Sequence, residues 1–505
     1  VTRARMLALA ATLALAAVLS GCFLAPEPMP SRTPDTSGVS AELLPYYGQE
    51  LEWSRCEGDA FDCATVRAPR DWSDPSAGEL ELAVIRQRAT DGDPLGSLFT
   101  NPGGPGVSGY DYVRAGAAAL AGPEVTAAYD LVGFDPRGVG RSTPVTCLDA
   151  AGMDEYLYGI PDGRRGTPEW DESLTESAEA FAAACEENSG DLLPYISTVS
   201  VARDLDLLRA VLGDESLNYL GYSWGTALGA QYAQLYPERV GRMVLDGAMD
   251  PALPGSEIGA AQAVGFEASL RAFFADCAER DDCPYGGTVD DMLADLAALL
   301  ARVDRAPVAA ADGRRVGADT LMTAIIQTLY APGTWPWLRV ALSELEDGDA
   351  TAVLTAADSY NRRADGEYLD NSTEAFTAYN CMDYPVESAE SERAAEERIR
   401  AGAPTTADYW YGADVCAFWP AEPTGTREPV TAEGADPILV IGTTGDPATP
   451  YEWAVSLADQ LSSAVLVTRV GEGHTGYMKG NDCVNETVDA YLVEGVVPEA
   501  DVVCR

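Results

Sequence analysis

In 505 residues the chain has a single histidine, His474, and a single lysine, Lys479. A His-rich metal centre is therefore excluded, and serine-lysine chemistry has one lysine to draw on. None of the eleven cysteines falls in the Cys-x-x-Cys spacing of a zinc site, so no metal and no cofactor is expected. Positive charge is scarce as well. Against 80 Asp plus Glu stand 33 Lys plus Arg, and the formal net charge of -47 argues against electrostatic binding to nucleic acid or to an anionic membrane surface. A field of that sign favours cationic groups such as free peptide amines, although most of these carboxylates are read as solvated surface. Neither a long internal transmembrane run nor an obvious repeat is present.

What the chain does have begins at its N-terminus. Arg3 and Arg5 precede an apolar run over 6–19, too short to span a bilayer comfortably, and then comes Leu19-Ser20-Gly21-Cys22. The pattern resembles a bacterial lipoprotein signal over 1–21, with the Cys22 thiol as the lipid attachment point. The alternative is an ordinary secretory signal in which Cys22 is incidental. Residues 22–40 are rich in Pro, Ser and Thr and read as a flexible tether. Either reading exports the mature protein, which would be extracellular and held to the cell membrane only through a lipid on Cys22, or secreted. Setting Cys22 aside leaves ten cysteines, an even number that suits an oxidising compartment. Neighbours along the chain suggest Cys56 with Cys63, Cys147 with Cys185, Cys277 with Cys283, Cys381 with Cys416 and Cys483 with Cys504.

Along the mature chain short apolar runs alternate with helical patterns, which indicates an α/β fold with a mostly parallel central sheet. Strands are expected over 80–85, 97–100, 129–134, 216–220, 242–245, 437–441 and 464–468. The interval from about Pro251 to Glu433 breaks that rhythm with longer helical stretches and with aromatic patches at Thr334-Trp335-Pro336-Trp337 and Tyr409-Trp410-Tyr411. It is read as a large, mainly helical cap over 251–433, inserted between a core part at 41–250 and a returning core part at 434–505.

The chemistry starts where the run Asn218-Tyr219-Leu220 enters Gly221-Tyr222-Ser223-Trp224-Gly225 and then a small-residue helical pattern. Strand, Gly-x-Ser-x-Gly and helix in that order form the context of a nucleophile elbow, in which glycines on both sides of Ser223 permit the tight turn. A serine hydroxyl needs a base held by a carboxylate. Beyond the run 437–441 comes Gly445-Asp446-Pro447, and beyond 464–470 comes His474; each sits on a loop after a strand. The chain order Ser223, Asp446, His474 is that of the α/β-hydrolases. With one histidine in the chain, the base has no competitor.

For the oxyanion, Asn101-Pro102-Gly103-Gly104-Pro105-Gly106 follows a strand, and glycines let backbone N–H groups approach a substrate oxygen. Pro105 has no N–H, so the donor is expected from Gly103 or Gly104, with Gly104 favoured, together with the N–H of Trp224.

These segments, with Phe134-Asp-Pro-Arg-Gly-Val-Gly-Arg-Ser142, Gly445-Asp-Pro-Ala-Thr-Pro450 and Gly473-His-Thr-Gly476, resemble the secreted actinobacterial tripeptidyl aminopeptidase and proline iminopeptidase-like branch of the α/β-hydrolases. The likeness extends over nearly the whole mature chain and includes the segment 53–75. Pro102 stands where proline iminopeptidases often carry His, which favours the tripeptidyl aminopeptidase-like side. The resemblance implies an α/β-hydrolase core with a cap, and a serine exopeptidase acting through an acyl-enzyme on peptides with free N-termini. The Asp135-Pro-Arg-Gly element is expected to shape the turn behind the nucleophile. Asp383, on a segment that Cys381 would fix, is the expected carboxylate for the substrate ammonium group. The same triad would also serve hydrolysis of esters, lactones or other amides, because pocket shape decides the substrate.

Overall fold

The computed structural model describes residues 32–505 apart from 59, 117–119 and 411. The expected signal segment, Cys22 and the first part of the expected tether lie outside the described residues. Ten strands form one sheet: β1 (Ser54–Cys56), β2 (Phe61–Pro69), β3 (Glu79–Gln87), β4 (Ser97–Asn101), β5 (Asp130–Phe134), β6 (Leu217–Tyr222), β7 (Val240–Asp246), β8 (Ile438–Gly445), β9 (Ala464–Glu472) and β10 (Val502–Cys504). Their order is β1-β2-β3-β5-β4-β6-β7-β8-β9-β10. Pairs from β5 to β10 are parallel, whereas β1, β2 and β3 pair antiparallel with each other and with β5. Parallel central strands are covered on both faces, which is why they read as continuous apolar runs. In β8, Ile438 and Val440 enter the core on one face while Leu439 and Ile441 enter that on the other.

Two helices frame the centre of the sheet: α1 (Thr198–Val211) and α2 (Trp224–Leu235), whose Leu205, Leu208, Leu228 and Tyr232 are fully buried in the same cluster as Phe99 and Tyr219. On the opposite face Val484, Val488 and Leu492 of the helix Asp482–Glu494 cover Leu98, Leu220 and Val244. The strands missed by periodicity are β1, β2 and β10. Two of these hold three residues each, and β2 carries a buried aspartate, Asp62, and exposed Thr65 and Arg67 among its apolar positions.

Between β7 and β8 the chain builds α3 (Gly255–Cys277), α4 (Val289–Arg305), α5 (Ala318–Leu329), α6 (Trp335–Glu346), α7 (Thr351–Tyr360), α8 (Ser372–Asp383) and α9 (Ala389–Gly402), with two short hairpins. Apolar residues of α3 to α7 make a second core of their own, around Phe273, Leu296, Leu321, Leu338 and Val353. The interval is not one body, however. Helix α8 buries Ala375, Ala378, Tyr379 and Met382 in the main core, and Tyr158, from before β6, joins the second core.

Residues 32–37 are not a free tether. Arg32 pairs with Asp214 at 2.6 Å, the Asp35 N–H donates to Ala210 O at 2.8 Å, and Arg209 donates to the Asp35 carboxylate at 3.0 Å. The cause is Arg209, whose guanidinium is buried and draws in acceptors from Asp206, Asp214 and Asp35. Cys56–Cys63, Cys147–Cys185, Cys277–Cys283, Cys381–Cys416 and Cys483–Cys504 form disulfides, the pairing expected from chain neighbours. Among the described residues no helix is long and apolar enough to cross a membrane.

Candidate active site

The site lies at the C-terminal ends of β4, β6, β7, β8 and β9. Ser223 joins β6 to α2 with φ 55° and ψ -123°, a conformation that L-residues seldom adopt and that turns the chain sharply. Its N–H donates to Asp246 O at 3.0 Å, and its carbonyl accepts from Thr226 N–H at 2.8 Å. The flanking glycines have a steric reason: a Cβ on Gly221 would stand 2.4 Å from Gly225 O, and one on Gly225 would stand 2.7 Å from Asn101 O.

Asp446 follows β8 and His474 follows β9. Both Asp446 oxygens lie 2.9 Å from His474 Nδ1. The carboxylate also accepts from the N–H groups of Ala448, Thr449 and Thr475 and from Thr449 Oγ1, all at 2.9–3.0 Å. Such a fully bonded, buried anion favours the imidazole tautomer with hydrogen on Nδ1, leaving Nε2 as acceptor. A residue before α6 supports the same loop: the His474 N–H donates to Tyr330 O at 2.8 Å, and the two rings meet edge to face at 5.4 Å. Ser223 and His474 flank one short segment, for Gly247 follows Asp246, and a Cβ there would fall 3.1 Å from His474 Cε1.

The glycine loop after β4 presses on the elbow. A Cβ on Gly103, whose φ is +97°, would stand 2.6 Å from Tyr222 O and 2.8 Å from Ser223 Cβ. The Gly103 N–H is committed to Asn101 Oδ1 at 2.9 Å. No acceptor among the described residues takes the Gly104 N–H, and Trp224 opens α2, so both can donate to an incoming oxygen. The Asp135-Pro-Arg-Gly element lies behind this loop. Buried Asp135 accepts from Ser108 Oγ at 2.5 Å, Tyr110 N–H at 3.1 Å and Arg141 N–H at 2.9 Å, while burial pushes its pKa up. Arg137 is wholly buried and forks onto Asp204 at 2.6 and 2.7 Å.

Asp383 is not placed as the sequence suggested. It ends α8, is 3 % exposed, and accepts from Thr198 N–H at 2.9 Å and Thr198 Oγ1 at 2.5 Å. Burial, only partly offset by these bonds, pushes its pKa up to about 6. Thr198 opens α1, whose N-terminal N–H groups attract a carboxylate, and so Asp383 faces inward rather than toward a substrate amine. Thr198 Oγ1 in turn accepts from Trp224 Nε1 at 3.2 Å, which ties Asp383 to the elbow from behind. Sequence reasoning also missed Asp246, whose carboxylate is wholly buried and accepts from Gly476 and Tyr477 N–H at 2.8 Å each. A carboxylate closing an apolar strand was the available signal. Among the described residues no group of three or more His, Cys, Asp or Glu side chains could hold a metal ion.

A serine on a strand-to-helix elbow, with a carboxylate-held imidazole on loops beyond neighbouring parallel strands, is the arrangement of a serine hydrolase of the α/β-hydrolase fold. Residues 403–504 match the model of a family described as TAP-like protein. Serine protease Hip1 of Mycobacterium tuberculosis is 36% identical over 99% of this chain and 98% of its own length. A second protein of that organism, named carboxylesterase B, is 37% identical over 98% of this chain and 97% of its own. Tripeptidyl aminopeptidase of Streptomyces coelicolor is 32% identical over 90% of this chain and 86% of its own. The chain belongs to this family of actinobacterial α/β-hydrolases.

Proposed function

We propose that the protein is an exported serine exopeptidase that releases short peptides or single residues from free N-termini through an acyl-enzyme. The observation that carries the reading is the His474–Asp446 pair held across Gly247 from Ser223; the names of two relatives, serine protease and tripeptidyl aminopeptidase, support peptides as the substrate. Ser223 Oγ attacks the scissile carbonyl carbon as His474 Nε2 takes its proton. The oxygen gains negative charge and accepts from Gly104 and Trp224 N–H. Collapse of the tetrahedral adduct breaks the C–N bond, and His474 returns the proton to the leaving amine. Water, deprotonated by the same imidazole, then attacks the acyl carbon; the bond to Ser223 Oγ breaks and His474 returns the proton to that oxygen, with Asp446 orienting Nδ1 throughout.

The relative named carboxylesterase B favours a second reading, the same machinery acting on esters. Assaying peptide p-nitroanilides with free and with acetylated N-termini beside p-nitrophenyl esters separates the two. The exopeptidase reading expects turnover of the free peptides and little of the blocked ones; strong activity on blocked peptides, or on esters alone, refutes it.

A further inference from the structure

We propose that Asp246 is a positioning residue that holds nucleophile and base in register, joining Ser223 through its backbone and the His474 loop through its side chain. The proposal rests on Ser223 and His474 acting as nucleophile and base. Asp246 ends β7, between the strand that carries the elbow and the strand that precedes Asp446. Its carbonyl accepts the Ser223 N–H at 3.0 Å. Its carboxylate, with no exposed surface, accepts the consecutive N–H groups of Gly476 and Tyr477 at 2.8 Å each. Between His474 and those amides lies Thr475, with φ 70°, whose own N–H goes to Asp446. The histidine loop is thus pinned by two carboxylates: Asp446 holds the ring and Thr475, and Asp246 holds the turn that follows. Gly247 continues the contact, with His474 Cε1 and Thr449 Oγ1 lying 3.1 and 3.2 Å from where its Cβ would be.

The carboxylate geometry is specific to the ionised acid. Two parallel N–H donors need two acceptor oxygens, and a protonated or amidated group presents a donor to one of them. The ionisable groups that bear on Asp246 are His474 and Asp446 from the C-terminal loops, Tyr112 from the helix Gly109–Ala115, and Tyr222 from β6. His474 is the one cation-forming group among them. Burial pushes the Asp246 pKa up to about 6, so the acceptor pair is complete above that pH and is lost as pH falls through it. The ionised carboxylate also favours the imidazolium that forms during turnover.

The test is Asp246→Asn, read by the second-order rate of fluorophosphonate labelling and by kcat and KM on a p-nitrophenyl ester from pH 5 to 9, with folding followed by circular dichroism. The expected result at pH 8 is a fall in labelling rate and in kcat of about tenfold or more, with KM within about threefold. The acid limb should move to lower pH, because the imidazolium has lost a neighbouring anion. A folded Asp246→Asn with wild-type kcat and an unmoved acid limb overturns the proposal. Should Asn prevent folding, Asp246→Glu replaces it; this keeps the charge and is expected to lower kcat with the limb at its wild-type pH, and a shifted limb there overturns the proposal too. Ser223→Ala run alongside separates the two levels. Turnover by Ser223→Ala refutes the assigned nucleophile, whereas an inert Ser223→Ala beside an unaffected Asp246→Asn refutes only the role of Asp246.

Discussion

Gly103→Ala is a perturbation of one methyl group whose effect can be worked from distances. The added Cβ would stand 2.6 Å from Tyr222 O, 2.8 Å from Ser223 Cβ and 3.1 Å from Trp224 N, and none of these is the far end of a flexible side chain. Reaching ordinary contact means opening the gap by roughly half an ångström or more. The elbow is held by the Ser223-to-Asp246 and Thr226-to-Ser223 hydrogen bonds, so the glycine loop is the part that yields. An alanine at φ +97° adds about 1–2 kcal/mol of backbone strain. Because the site sits at a strand end rather than mid-core, the total stability loss should be about 1–3 kcal/mol, a fall in Tm of under about 10 °C. The kinetic loss is larger in proportion. Displacing Gly104 takes away one of the two proposed oxyanion donors, a loss that typically costs about 3 kcal/mol, or 10²–10³ in kcat. The assay is steady-state hydrolysis of an ester and of a free-N-terminus peptide p-nitroanilide, both of which should lose kcat alike while KM changes little. A folded Gly103→Ala enzyme with kcat within about threefold of wild type would refute the reasoning.

Ser223→Ala should abolish fluorophosphonate labelling and turnover while the protein keeps its fold; substantial residual hydrolysis by the purified variant would mean that the nucleophile is wrong. His474→Ala should lower kcat by about 10⁴-fold or more, because the chain has no other imidazole to substitute, and near-wild-type activity would exclude His474 as base. Asp383 bears on stability. Its folded pKa of about 6 lies above the ordinary carboxylate value near 4, so between these the native state holds a proton that the unfolded chain has lost. Its contribution to stability therefore falls as pH rises from about 4 to about 6 and stays lower above, by at most about 3 kcal/mol. Asp383→Asn should remove that loss, with its Tm gaining on wild type between pH 4 and pH 7; parallel Tm curves would show that Asp383 does not titrate in this range.

Much of the site is legible along the chain because its residues are forced by local geometry. The elbow glycines, Asp446 after β8 and His474 after β9, the proposed acid and base, all lie where an apolar strand stops, and a strand end is visible in sequence. Gly104 is preferable to Pro105 on the chemistry of the N–H alone. Asp383 misleads for a complementary reason. The sequence suggests a segment fixed by Cys381 and free to meet substrate, yet in the folded chain Asp383 closes a helix that packs into the main core. The short strands β1 and β10 escape because three residues carry no usable period. Residues 32–37 escape because their order comes from Arg209 and Asp214, partners far along the chain.

Which residue types are available, and in what order they meet strand ends, are properties of the chain alone: one histidine, a serine between glycines, an aspartate before proline, and an even set of cysteines once Cys22 is set aside. Those facts narrow the chemistry because a general base cannot be replaced by a residue that is not there. Which carboxylate serves which donors is settled only by folding. Asp446, Asp246 and Asp383 are each an aspartate among 80 acids, and their pattern in the chain does not rank them. The tertiary arrangement brings His474 Nδ1 to the first, the Gly476 and Tyr477 amides to the second, and Thr198 to the third. A buried carboxylate takes its role from the donors that satisfy it, and most of those donors arrive from elements distant in sequence.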